Sequence, residues 1–123
     1  MRINIKTIPH NKQRYDTCGD YWVDKRGTIQ VRISEESNEK YEWLVLLHEL
    51  TEMCLAKYQG VDWDKIDAFD IEFEKNRKGW DNSEPGDAEN SPYYKQHHLA
   101  TVVERLICHE LGLNWEEYEE SLE

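Results

Sequence analysis

At 123 residues the chain has room for one domain and one hydrophobic core, and five Trp and seven Tyr supply the bulky mass that disordered chains lack. Lys and Arg number 15 against 26 Asp and Glu, a net charge of −11, which argues against direct nucleic-acid binding because phosphates need a basic face. No segment approaches membrane-spanning length, and Cys18, Cys54 and Cys108 are too scattered for a disulfide framework or a zinc knuckle, so the expected compartment is a reducing cytoplasm.

Ile3 and Ile5 alternate with polar neighbours and predict a short first strand. Tyr21-Trp22-Val23, the turn Asp24-Lys25-Arg26-Gly27 and Thr28 to Ser34 read as a β-hairpin. Its second strand turns Ile29, Val31 and Ile33 to one face and Thr28, Gln30 and Arg32 to the other. Ser37 or Asn38 can cap a long helix that Gly60 ends. That helix is apolar nearly all round, from Tyr41 through Leu55, and so is expected inside the protein, with Cys54 as a small buried hydrophobe.

Asp62 or Asp64 can cap a second helix to about Lys78, with a core stripe of Ile66, Phe69 and Phe73 that takes in Asp70; Asp67 lies on its flank. An acidic loop over 79–91 contains a Pro85-Gly86 turn. Ser91 then caps and Pro92 opens a third helix that Gly112 ends, with Leu99, Val102, Val103, Leu106 and Ile107 as its expected core face. Asn114 can cap a short last helix. The expected class is α+β in one domain, β-rich over 1–36 and helical over 38–123. A small antiparallel sheet, the N-terminal strand plus the hairpin, would pack on three main helices.

Chemistry concentrates in His48-Glu49-Leu50-Thr51-Glu52. His48 and Glu52 are four apart and project from one helix face, with Glu49 beside them. Two ligands at this spacing with an intervening Glu that activates water form the geometry of the zincin helix, although the second ligand there is His and here is Glu52. A carboxylate is a legitimate zinc ligand, and more carboxylates shift preference toward manganese or iron(II). Further ligands must come from elsewhere. Asp70 is a candidate because a carboxylate within an apolar stripe is costly unless paired or metal-bound. His97 is another: His97, Ala100, Thr101 and Glu104 form one line on the third helix, with Glu104 as an outer acceptor or a ligand. His98 falls on the opposite border with His109.

The series Gln13-Arg14-Tyr15, Gly19-Asp20-Tyr21-Trp22, Gly27 to Val31, Val45 to Glu52, Asp67-Ala68-Phe69-Asp70, Glu84-Pro85-Gly86-Asp87, Pro92-Tyr93, His97, Ala100-Thr101 and Glu104 resembles a family of small phage, prophage and metagenomic proteins. The resemblance spans nearly the whole chain and implies that His97, not His98, is in register with the family's histidine. It also implies a host-cell cytoplasm. More distantly, a strand followed by an apolar helix with His-Glu is similar to the minimal zinc metallopeptidases.

Three functions compete. In the first, a metal-dependent hydrolase cleaves a peptide or amide bond, with His48, Glu52, Asp70 and His97 as candidate ligands, Glu49 as the base, and Asp67 and Glu104 behind them. Zinc is the expected ion, with manganese, iron or magnesium as alternatives. In the second, an acidic binding protein or inhibitor engages an unknown protein or peptide through its surface, and the polar cluster is structural. In the third, Glu49-x-x-Glu52 and Asp67-x-x-Asp70 hold magnesium in a nucleotide pyrophosphohydrolase. Neither nucleic acid nor a membrane is an expected partner.

Overall fold

The alternation of Ile29, Val31 and Ile33 makes the central strand of a three-stranded sheet, with these three side chains buried on one face. A computed structural model describes residues 1–122. In chain order the elements are β1 (Ile3–Ile8), β2 (Gly19–Val23), β3 (Ile29–Ser34), α1 (Glu39–Tyr58), α2 (Trp63–Lys75), α3 (Tyr94–Glu110) and α4 (Trp115–Ser121). Short 3₁₀ turns stand at His10–Lys12 and Pro85–Asp87.

The fold is α+β, and the sheet is mixed rather than wholly antiparallel. β2 runs antiparallel to β3, with Gly19 opposite Ile33 and Val23 opposite Ile29, as the hairpin requires. β1 pairs parallel to the other edge of β3, from Ile3 opposite Ile29 to Ile8 opposite Ser34. Between β1 and β2 the residues 9–18 provide enough chain to cross over β3, so β1 need not form a hairpin with its sequence neighbour.

Asn38 caps α1 through its side chain, accepting from the Lys40 amide at 3.0 Å, and Gly60 adopts φ 75° just past the helix end. α1 packs across β2 and β3 and along α3. The main core joins Tyr21, Val31, Ile33, Leu44, Val45, Met53, Cys108 and Tyr118. Val31, Ile33 and Leu44 are essentially sealed, each contributing about 1.5–3 kcal/mol relative to exposure. A smaller core of Ala56, Ile66 and Tyr93 fixes α2. α1 is not enclosed all round, however: Trp43, Cys54 and Tyr58 reach the surface.

α3 departs from its expected orientation and its expected start. It begins at Tyr94, two residues beyond Pro92, and the Ser91 hydroxyl accepts from the Tyr93 amide in the turn before it. Gln96, His97, Ala100, Glu104 and Cys108 form its buried face, whereas Leu99, Val102 and Leu106 are 42%, 62% and 59% exposed. Ala100, with no exposed surface, allows close approach to α1. His97 and Glu104 find polar partners there, and each such buried group left unpaired would cost about 1–3 kcal/mol.

Candidate functional site

Glu52 is the hub of a buried polar cluster. Its Oε2 lies 3.1 Å from His48 Nε2, one helical turn away, and 3.2 Å from Nδ1 of His97 on α3. Its Oε1 accepts a 2.9 Å hydrogen bond from the Tyr21 hydroxyl of β2. The two imidazoles meet edge to face with centroids 4.8 Å apart.

The far nitrogen of each ring also faces carboxylate. His48 Nδ1 is 2.7 Å from Glu104 Oε1, and the other oxygen of Glu104 accepts from the fully buried Tyr118 hydroxyl. His97 Nε2 lies 2.9 Å from Glu84 and 3.2 Å from Asp87. Neither of those two oxygens is in line with the ring N–H, so this buried nitrogen has no hydrogen-bond partner among the described residues.

These contacts set the charges. Burial opposes ionisation of Glu52, but the histidine hydrogen bonds outweigh it and hold its carboxyl at about 2. Burial likewise opposes protonation of His48, and its bonds to Glu104 and Glu52 raise it well above the ordinary histidine range. His97 is pushed up to about 12 against the same burial penalty by Asp87, Glu52 and Glu84. Glu49 moves the other way from Glu52: burial and then the Glu52 charge raise it well above the usual carboxylate range. Its side chain lies against Gly19, where a Cβ would come within 2.5 Å of Glu49 Cγ, so only glycine leaves room for it.

His48 Nε2, Glu52 and His97 Nδ1 can hold a metal ion. A tetrahedral ion about 2.0–2.2 Å from each ligand spaces neighbouring ligands by about 3.3–3.6 Å, close to the 3.1 and 3.2 Å that separate Glu52 from the two histidine nitrogens. Metal and protons therefore compete for the same nitrogens. Glu104 stands behind His48 rather than among the ligands.

Asp70 and Asp67 are directed elsewhere. Asp70 accepts from Tyr93 at 2.6 Å and Tyr15 at 3.2 Å, and burial followed by the Glu52 charge raises it to about 7 despite those bonds. Asp67 is 3.0 Å from Arg14, whose guanidinium also clamps the buried Asp20 at 2.7 and 2.8 Å. His98 is exposed and lies on Tyr94. The residues that sequence reasoning left out of the site are Tyr21, Tyr118, Glu84, Asp87, Gly19 and Gly86. The tyrosines carried only a weak signal, since a core tyrosine needs an acceptor for its hydroxyl.

The cluster lies in a cleft of about 740 Å³ whose wall includes Gly19, Glu49, Asp70, Glu84 and His97. No family model, curated protein or solved structure matches this chain. No helix among the described residues is long and apolar enough to cross a membrane.

Proposed function

We propose that this protein is a metal-dependent hydrolase of peptide or amide bonds, with His48, Glu52 and His97 as ligands and Glu49 as the proton carrier. The observation that carries this reading is the doubled arrangement of the histidines. Each turns one nitrogen to Glu52 and the other to carboxylate, Glu104 for His48 and the Glu84/Asp87 pair for His97. An outer carboxylate bonded as Glu104 is to His48 orients a metal-ligating imidazole and raises its basicity, and the charges of Glu84 and Asp87 beside His97 favour the same basicity.

Two imidazoles and one carboxylate suit zinc, with iron(II) or manganese as further candidates. Such an ion supplies Lewis acidity at the scissile carbonyl and makes water acidic near neutral pH. The protein's part is positional. Glu104 and Tyr118 hold His48, Tyr21 fixes the second oxygen of Glu52, and Gly19 leaves Glu49 its place on the cleft wall. Glu49 would accept a proton from the attacking water and return it to the leaving nitrogen once a bound cation offsets the burial and the Glu52 charge that otherwise keep it protonated.

Zinc titration of chelator-treated protein tests the site, and peptide hydrolysis tests the activity. Glu49→Gln is expected to keep the metal and the fold while abolishing turnover. Failure of the native protein to take up a divalent ion would sink the proposal. The cluster would then be a proton-held structural network in an acidic binding protein, the second reading, which the complete set of His–Glu hydrogen bonds around His48 also supports.

A further inference from the structure

The outer nitrogen of His97 is not a ligand in the proposed hydrolase site and has no hydrogen-bond partner among the described residues. His97 is 4% exposed, and its Nδ1 is well placed to donate to Glu52. Nε2 is buried, without such a partner, and faces two carboxylate oxygens at 2.9 and 3.2 Å. Two carboxylates gathered on one buried nitrogen call for a cation among them, a proton on Nε2 in the metal-free protein or a metal ion that takes its place. The oxygens flank the nitrogen's axis instead of lying on it, as ligands on neighbouring corners of one coordination shell do.

The turn that supplies these oxygens is built against the ring. A Cβ on Gly86 would come within 2.3 Å of His97 Cγ and 2.5 Å of Nδ1, so glycine alone lets Pro85–Asp87 lie flat on the imidazole. The Glu84 amide donates to Asp87 Oδ2 at 3.1 Å and the Asp87 amide to the Glu84 carbonyl at 3.0 Å. The first of these bonds leaves Asp87 Oδ1 facing His97, which sets its direction before any ligand arrives.

We infer that Glu84, Asp87 and Nε2 of His97 form a second divalent-cation site at the mouth of the cleft. One imidazole and two carboxylates favour a hard, oxygen-seeking ion of the manganese class over zinc. The Glu84 and Asp87 side chains remain 57% and 46% exposed, so the ion's other positions are open to water or to an anionic group of a ligand. An ion there also ties the 84–87 turn to α3 and stiffens one wall of the cleft. The inference does not depend on the inner site: the outer one uses Nε2 of His97 while Nδ1 donates to Glu52, so a neutral ring serves one site at a time.

Pulsed electron paramagnetic resonance of the whole protein titrated with Mn²⁺ tests it, since the spectrum counts directly bound imidazoles. The outer site shows one imidazole and the inner site two. The native protein is expected to give a one-imidazole signature that Glu84→Gln with Asp87→Asn removes, with at least a tenfold loss of affinity. Both substitutions fall on exposed side chains, and thermal melts verify that the variant folds. Gly86→Ala keeps every ligand but separates the turn from the ring, and is expected to weaken Mn²⁺ in the same direction. A signal indifferent to the double variant, a solely two-imidazole signature, or no Mn²⁺ uptake overturns the outer site. Failure of the inner site reads differently: the double variant then binds no zinc while the native protein keeps its one-imidazole signal.

Discussion

Glu104→Ala removes the acceptor shared by two buried donors, Nδ1 of His48 and the hydroxyl of Tyr118. His48 and Glu104 are each 7% exposed and Tyr118 is fully enclosed, so water cannot take over either bond. Each orphaned donor costs about 1–3 kcal/mol, and breaking a buried charged pair from one side costs on the order of 3–5 kcal/mol in all. Glu104→Gln keeps one acceptor oxygen but turns an NH₂ toward either His48 or Tyr118, so a smaller loss of about 1–3 kcal/mol is expected. Urea unfolding followed by tryptophan fluorescence reads both values. A cycle with Tyr118→Phe isolates the tyrosine's share, with an expected coupling of about 0.5–3 kcal/mol. Zinc affinity is expected to fall about 10- to 100-fold in Glu104→Gln as His48 loses its orienting partner. A Glu104→Ala protein within about 0.5 kcal/mol of the native one would refute the reasoning, because that is the range of a surface substitution.

Three further outcomes are expected. Stability of the metal-free protein rises from acid to about pH 4.5, as Glu52, lowered from 4.5 to about 2, delivers its ion pairs. Above that it declines, first as Asp70, raised from 3.8 to about 7, loses the proton its site favours, and then as His97, raised from 6.5 to about 12, gives up in alkali the stability complete below 6.5; urea midpoints that rise steadily between about pH 5 and 8 would contradict this sign. Gly19→Ala drives a methyl into Glu49, and is expected to cut hydrolysis at least tenfold while zinc affinity stays within about threefold; an unchanged kcat would remove Glu49 from the mechanism. His97→Ala is expected to lower zinc affinity tenfold or more and His98→Ala to leave it unchanged, with isothermal calorimetry of both as the check; the reverse order would displace the site from α3's buried face.

What the sequence by itself determined is local. The alternation in 29–33 marked the buried face of β3, Asn38 and Gly60 bounded α1, and the four-residue spacing put His48 and Glu52 on one face with Glu49 beside them. These follow from backbone geometry and capping, which act within one or two turns of chain. The line His97, Ala100, Thr101, Glu104 was legible too, but its apposition to α1 was not.

Tertiary structure decided everything that required partners. Glu52 meets His97 across 45 residues and His48 meets Glu104 across 56. Periodicity says which side chains share a helix face, but not which neighbour that face will meet. On α3 apolar spacing favoured Leu99, Val102, Val103, Leu106 and Ile107 as the inner face; Ile107 packs on the core, but Leu99, Val102 and Leu106 turn outward while His97 and Glu104 take the buried face. Asp70 looked equally suited to a metal until Tyr15 and Tyr93 claimed its oxygens, and Asp67 until Arg14 did. The parallel pairing of β1 and the closing of Glu84 and Asp87 onto His97 depend likewise on contacts that no local pattern encodes, because each is fixed only when separate segments compete for the same buried space.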